Sequence, residues 1–190
     1  MNKLGILAIG LMIGAGIGVA GSFAPQVLGH SANPNQPYKD EQGRLISSLS
    51  SKDVEDLKAG RGWGLAKPAE FNGYPGPAHV IEFARSLELT DEQLTSVKAS
   101  FTAMQKQAAQ LGEQLIAAEK ALDGAFVSKR ISRGELNRLL AQAESVRAQL
   151  RAVHLSAHLE VTPMLSDEQK KKYAQLRGYG SNGHGGHGSH

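Results

Sequence analysis

Two long stretches of the chain carry apolar residues in alternating steps of three and four positions. Side chains with this spacing share one face of an α-helix, so each stretch predicts a long amphipathic helix. The first stretch consists of Leu94, Val97, Phe101, Met104, Ala108, Leu111, Leu115, Ala118 and Leu122. The second consists of Leu136, Leu139, Ala143, Val146, Leu150, Val153 and Ala157. Gly124 and the polar sequence SKRIS interrupt the pattern between them, which predicts a short connection and an antiparallel helical hairpin.

Short polar sequences mark where these helices begin. In a capping box, a hydroxyl accepts from a free N–H of the first turn, and the side chain three positions on accepts from the cap residue's N–H. The candidate pairs are Thr90 with Gln93, Ser132 with Glu135, and Ser166 with Gln169. Pro163 ends the second long helix, because proline lacks the amide that a helix needs. The Ser166 pair therefore predicts a last, separate helix over about 167–176.

The residues before the hairpin predict shorter structure. Ser50 suits the cap of a helix over about 52–59, and Pro77 suits the first position of a helix over about 78–88. Between them lies GRGWGLAKPAEFNGYPGP, whose glycines and prolines prevent long regular structure. Because this Gly/Pro-rich segment contains Trp63, we expect it to fold back over the helical body.

The first residues resemble no part of the rest. No charge occurs between Leu4 and Leu28, which predicts an export signal or a membrane anchor. Small residues at Gly18 and Ala20 suit signal cleavage, whereas the length of the apolar run also suits a membrane span. Both alternatives place the remaining chain outside the cytoplasmic membrane. The predicted regions are 1–29 as signal or anchor, 30–76 as linker, short helix and Gly/Pro-rich segment, 77–177 as the hairpin domain, and 178–190 as a disordered Gly/His tail.

Composition narrows the function classes. The chain has no cysteine, which excludes disulfides and thiolate metal sites. Its net charge of +3 is too small an excess to indicate nucleic-acid binding. The sequence offers no nucleophile with a neighbouring base and no phosphate-binding loop, so we expect a protein that is not an enzyme. A hairpin is also too narrow to bury both of its faces alone, so we expect a homodimer.

The two sequences that open the first long helix and the last helix carry a resemblance to a known family. Leu89, Thr90 and Gln93 form one L-T-x-x-Q motif, and Leu165, Ser166 and Gln169 form a second with Ser in place of Thr. Such a pair, spaced by a helical hairpin behind an export segment, resembles the Spy/CpxP family, which includes zinc-resistance-associated proteins and periplasmic heavy-metal sensors. The resemblance covers residues 77–177.

This resemblance implies a cradle-shaped helical dimer in the periplasm. Members of the family bind unfolded or stress-damaged envelope proteins without ATP, modulate envelope stress signalling through a membrane-bound regulator, or bind metal ions. The Gly/Pro-rich segment is not a feature that the chaperone members need, so it leaves room for a partner of its own.

Phe101 and Met104 are the candidate client-binding residues. They lie on the first amphipathic face, among lysines and arginines, and methionine adapts to varied apolar partners. The alternative is that a partner helix covers the whole apolar face and that the cations form a solvated surface. A third possibility is a structural envelope protein without a client.

A metal-binding function is the alternative hypothesis. His154 and His158 are four residues apart, so their imidazoles lie on one helix face within reach of one ion, and Met164 could add a soft ligand. The other interpretation is a pair of exposed or cap-region histidines without an ion. The sensors that this chain resembles pair His-x-x-x-His on an early helix with His-x-x-x-Met on a late one. Here the early helix has His79 followed by Phe83, and His158 occupies the Met position, so the match is partial.

The tail holds a second candidate metal site. His184, His187 and His190 are separated only by small residues, and a tract of this kind binds Zn(II), Cu(II) or Ni(II) with little geometric demand. The alternative is a solubilising tail. No cofactor is required by any other pattern in the sequence.

Overall fold

The computed structural model describes residues 38–179 of the 190-residue chain. Within this range the regular structure consists of helices without a named strand, which confirms the all-α prediction. The helices are α1 (Ser51–Lys58), α2 (Lys67–Glu70), α3 (Pro77–Glu82), α4 (Asp91–Val127), α5 (Arg133–Val161) and α6 (Asp167–Leu176). A short 3₁₀ turn at Lys39–Glu41 precedes α1, and a second at Thr162–Met164 joins α5 to α6.

Parts of three predicted regions lie outside the described residues. They are the signal or anchor at 1–29, the first part of the linker at 30–37, and the tail from residue 180 onward, with its three histidines. Among the helices of residues 38–179, none is long and apolar enough to cross a membrane. The homodimer stays a prediction.

The long helices α4 and α5 form the predicted antiparallel hairpin. Ser100 donates to Glu160 over 3.0 Å near one end, and Arg147 donates to Glu119 over 2.6 Å farther along. Later residues of α4 thus meet earlier residues of α5, which is the register of an antiparallel pair.

Hydroxyl residues open these helices as predicted, with one difference. Complete capping boxes form at Ser50, Thr90 and Ser166. At Ser132 only half of the box forms: Ser132 Oγ accepts from the Glu135 N–H over 3.2 Å, and the Glu135 carboxylate makes no return contact. The predicted complete box at Ser132 is therefore wrong.

Two predicted helix ends are also wrong. Gly124 does not interrupt α4, which continues to Val127 and ends just before Lys129, whose φ is +55°. A single glycine costs a helix only about 1 kcal/mol, which packing on either side easily offsets. Helix α3 ends at Glu82 and not near Glu88, because the chain turns there and buries Leu87 in the core.

Two apolar cores pack against the hairpin at different positions along its length. The first core consists of Ile46, Leu49, Leu57, Ala108, Leu115, Val146 and Leu150. The second core consists of Val80, Leu87, Val97, Val161, Leu165 and Tyr173. Along α4, the first core begins at Ala108 and the second ends at Val97, so a stretch of about three turns lies between them.

The segments before the hairpin are docked onto it. Helix α1 crosses α4 at Gly112, where an added Cβ would clash with the Leu57 carbonyl oxygen. Ser48 donates to Glu119 over 2.8 Å, and Glu119 also holds Arg147. Trp63 packs against the first core, as the sequence predicted for the Gly/Pro-rich segment.

Candidate functional site

A cavity of about 580 Å³ lies between the hairpin and the Gly/Pro-rich segment, and we call it the groove. Residues from α3, α4, α5, the Gly/Pro-rich segment and the C-terminal turn line it. Its place follows from the cores, because the groove occupies the stretch of hairpin that neither core fills. It brings together Phe101 and Met104 with His154 and His158, two pairs that the sequence predicted for separate functions.

Phe101 and Met104 form the apolar wall that α4 contributes. Both are half-buried, and neither belongs to the first or the second core. Phe71, opposite them on the Gly/Pro-rich segment, is 61% exposed. These large apolar side chains are therefore available to a ligand that enters the groove.

His154 and His158 contribute the wall on the α5 side, and both are buried, with 3% and 8% of their surface exposed. The two histidines are therefore not exposed, and the Gly/Pro-rich segment covers His158 at Tyr74 and Gly76. His158 does lie in the last turn of α5, where its carbonyl accepts from the C-cap residue Thr162, so the cap-region interpretation holds for this residue. A Cβ added at Gly76 would lie only 2.7 Å from His158 Cε1, so a larger residue there would force the buried ring to move. His158 Nδ1 lies 2.7 Å from the Tyr74 carbonyl oxygen.

His154 differs from its neighbour in hydrogen bonding. Its Nε2 is buried and has no hydrogen-bond partner among the described residues. Burial lowers the pKa of His154, and the nearby His158 lowers it further, so the ring is held neutral at pH 7. A neutral imidazole with a free ring nitrogen can accept a hydrogen bond or bind a metal ion.

Glu70, at the end of α2, is a buried carboxylate beside the groove. Its Oε1 accepts from Tyr173 Oη over 2.7 Å and from Arg177 Nε over 2.8 Å, and Tyr179 Oη lies 3.3 Å away. Tyr173 Oη in turn accepts from the Gly76 N–H over 3.2 Å. Burial, and then the hydrogen bond to Glu70, raise the pKa of Tyr173 far above its usual range. Glu70 thus ties α2 and the Gly/Pro-rich segment to α6.

Two histidines approach the same carboxylate. His79 Nδ1 lies 3.8 Å from Glu70 Oε1, and His158 Nδ1 lies 3.9 Å from Glu70 Oε2. Burial lowers the pKa of His79, and the positive charge of Arg177 lowers it further. Arg177 therefore forms the close ion pair with the Glu70 carboxylate, whereas the His79 and His158 rings lie beyond hydrogen-bond distance of it.

These residues fit a metal ion only in part. Within residues 38–179, no group of three or more His, Asp or Glu side chains is arranged to hold an ion. Arg177 already occupies the carboxylate that would be the natural third ligand, and its charge repels a cation. Met164 packs against the second core and does not line the groove. The tail histidines His184, His187 and His190 lie outside the described residues.

The L-T-x-x-Q motif residues lie in and around the second core and outside the groove. Leu165 is buried there and Leu89 packs against it. Thr90 and Ser166 cap α4 and α6, and Gln93 and Gln169 hydrogen-bond to each other. Their role in the structure is to join the two helix starts.

Glu70, Tyr173 and Arg177 were not among the residues that the sequence pattern indicated. Glu70 lies 103 positions from Tyr173 and 107 from Arg177, so no local spacing connects them. The one available signal was the presence of an acidic residue within the Gly/Pro-rich segment that was expected to fold back.

Comparison with known proteins gives one result. The model of a family described as "LTXXQ motif family protein" matches residues 78–177, just over half of the chain. No curated protein and no solved structure matches the chain significantly.

Proposed function

The chain belongs to the LTXXQ motif family of Spy/CpxP-type periplasmic proteins, and from that premise we propose that it binds apolar segments of unfolded envelope proteins in the groove, without ATP. Such binding would protect stress-damaged proteins in the periplasm or report them to a membrane-bound regulator. It involves no covalent chemistry. A homodimer would place two grooves on one cradle.

The observation that carries this proposal is the pair Phe101 and Met104. Large apolar side chains of a hairpin face normally enter a core, whereas these two face a groove between cores. Fully burying an exposed side chain of this size contributes about 1.5–3 kcal/mol, and because both are already half-buried, covering the pair with a ligand would contribute roughly 1.5–3 kcal/mol in total. That gain suits weak and reversible binding of many sequences.

The size of the groove agrees with this role. Ligand cavities are typically about 300–1,000 Å³, and the 580 Å³ groove lies within that range. Lys67 also lines the groove and has no ion-pair partner among the described residues, so a client with an acidic residue beside its apolar ones would be favoured.

Aggregation suppression tests the proposal. The double variant Phe101→Gln/Met104→Gln keeps helix-forming residues but removes the apolar wall, and its affinity for an unfolded client should fall at least about tenfold. The matched control is Leu140→Gln/Leu159→Gln, which removes two exposed leucines of α5 outside the groove. Equal loss in both variants, or no loss in the first, would show that clients do not use the groove.

A metal-binding resistance or sensor function is the second candidate, and the free Nε2 of buried His154 favours it. His154 and His158 would supply two imidazole ligands, and a third would come from elsewhere, such as the tail histidines. Calorimetric titration of Zn(II), Cu(II) and Ni(II) into the full chain, His154→Ala/His158→Ala and a version ending at Tyr179 separates the cases. Tight binding that is lost in each of these two variants would support a shared site. Binding that is lost only when the tail is removed would mean that the groove has no metal-binding role.

A further inference from the structure

The turn between α4 and α5 exposes apolar side chains at the far end of the hairpin. We call residues 126–134 the hairpin tip. Phe126 is 55% exposed and Val127 is 80% exposed, although both end a helix whose other large apolar residues are mostly covered. Ser128 Oγ donates to the Ala125 carbonyl over 2.6 Å, and the positive φ of Lys129 turns the chain sharply here. The two exposed apolar side chains therefore lie directly before the turn that ends the hairpin.

The same nine residues carry three positive charges and no negative one. Lys129, Arg130 and Arg133 are all exposed, and none forms an ion pair with another residue of the range 38–179. The first acidic residue after the tip is Glu135, in the first turn of α5. Cations without local partners surrounding exposed apolar residues form a surface that suits an anionic, partly apolar ligand.

We propose that the hairpin tip docks onto the surface of a bilayer that contains anionic phospholipid. Phe126 and Val127 enter the interfacial region of the bilayer, while Lys129, Arg130 and Arg133 contact headgroup phosphates. This is a binding surface separate from the groove.

The small size of the tip favours a bilayer over a protein partner. A specific protein interface buries about 800 Å² on each side, which two exposed apolar side chains beside a single turn do not provide. Insertion into an interface needs no complementary pocket, because lipid adapts to the side chains that enter it. The tip has the charge sign that anionic headgroups attract.

The distance along α4 makes the two surfaces compatible. Phe101, in the groove, and Phe126, at the tip, are 25 residues apart on one continuous helix, which corresponds to about 38 Å. The groove therefore remains in the aqueous phase, open to a client, when the tip is docked.

The test uses a single fluorescent label on the full chain. Because the chain has no cysteine, Val127→Cys provides one unique site for an environment-sensitive dye. With vesicles of neutral phosphatidylcholine containing ~30% phosphatidylglycerol, we expect a blue shift of the dye, its quenching by bromine-labelled lipid, and reversal by high salt. A dye at Leu159→Cys, on an exposed position 59% accessible and remote from the tip, should show none of these changes.

A charge-matched pair of variants shows whether the tip cations are responsible. Changing Lys129, Arg130 and Arg133 to Gln should weaken tip docking about 100-fold, given the attraction of each cation to an anionic surface. The control changes three exposed lysines elsewhere, Lys98, Lys106 and Lys171, to Gln and should leave docking unchanged. Equal weakening of docking in both variants would overturn the proposal, as would an equal dye shift with purely neutral vesicles. A concentration-dependent dye shift without vesicles would also overturn it, because it would indicate contact between copies of the chain.

Discussion

The side-chain amides of Gln93 and Gln169 donate to each other across the gap between α4 and α6. Gln93 Nε2 lies 2.9 Å from Gln169 Oε1, and Gln169 Nε2 lies 3.0 Å from Gln93 Oε1. Each oxygen also accepts from its own cap residue, at Thr90 and Ser166. The motif that the sequence repeats is therefore one paired structure in which each copy completes the other.

This pairing predicts coupled effects of mutation. Gln93→Ala and Gln169→Ala should each lower the free energy of unfolding by about 1–3 kcal/mol, because partly buried carbonyl and cap groups lose their partners. In a double-mutant cycle by urea denaturation, the two should couple by about 1 kcal/mol. Gln149→Ala, at an exposed glutamine of α5, should change stability by less than about 0.5 kcal/mol. Additive losses would contradict the pairing.

The crossing of α1 over α4 predicts opposite effects at two glycines of the same helix. Gly112→Ala should destabilise the protein by several kcal/mol, roughly 2–4, because the new Cβ clashes with the Leu57 backbone and forces α1 away. Gly124→Ala faces open space and should stabilise by about 0.5–1 kcal/mol through helix propensity. Thermal unfolding of both variants measures this, and similar behaviour of the two would exclude the close crossing.

The buried His154 predicts lower stability in acid. Burial, and then His158, lower its pKa in the folded protein, whereas a histidine in the unfolded chain has a pKa of about 6.5. The unfolded state therefore binds the proton more readily, and the free energy of unfolding should fall as pH drops from about 7.5 to about 5.5, by at most ~1.4 kcal/mol per pH unit for this group.

Urea denaturation across that pH range measures the effect. His79, whose pKa is lowered in the same direction, should add to the slope, so His154→Gln should remove part of it and His154→Gln/His79→Gln more. The lowered pKa values of Asp53 and Asp56 affect stability only in stronger acid, below this window. If the pH dependence of the free energy of unfolding were the same in the wild-type protein and in both variants, neither ring would have a lowered pKa in the folded state.

Glu70 predicts a large difference between two glutamates of similar sequence context. Glu70→Gln keeps the shape but removes the charge that balances Arg177, and we expect a loss of about 1–3 kcal/mol in the free energy of unfolding. Glu82→Gln, at the exposed end of α3, should stay within about 0.5 kcal/mol of the wild-type protein. Calorimetry at pH 7 distinguishes the two variants. If Glu70→Gln left the free energy of unfolding unchanged, the carboxylate would not be important for stability.

The sequence predicted those parts of the fold that depend on neighbouring residues. The spacing of apolar residues predicted the hairpin, and hydroxyl residues predicted the starts of α4, α5 and α6, because capping acts within one helical turn. The sequence predicted the ends of helices poorly, as at Gly124, because tertiary packing there outweighs the helix propensity of a single residue. The burial of His154 and His158 was not predictable, because the residues that cover them lie about 80 positions earlier, as with Tyr74 and His158.

Trp63 lies where the Gly/Pro-rich segment meets both α1 and α5. Its Nε1 donates to Asp53 over 2.8 Å, and the Arg147 guanidinium carbon lies 5.2 Å from the centre of its ring. Because Trp63 is the single tryptophan of the chain and lines the groove, the protein carries its own fluorophore at the place where a client would enter. Its emission follows the docking of the Gly/Pro-rich segment, whereas circular dichroism follows the long helices. Opening of the groove is therefore optically distinguishable from melting of the hairpin, without any added label.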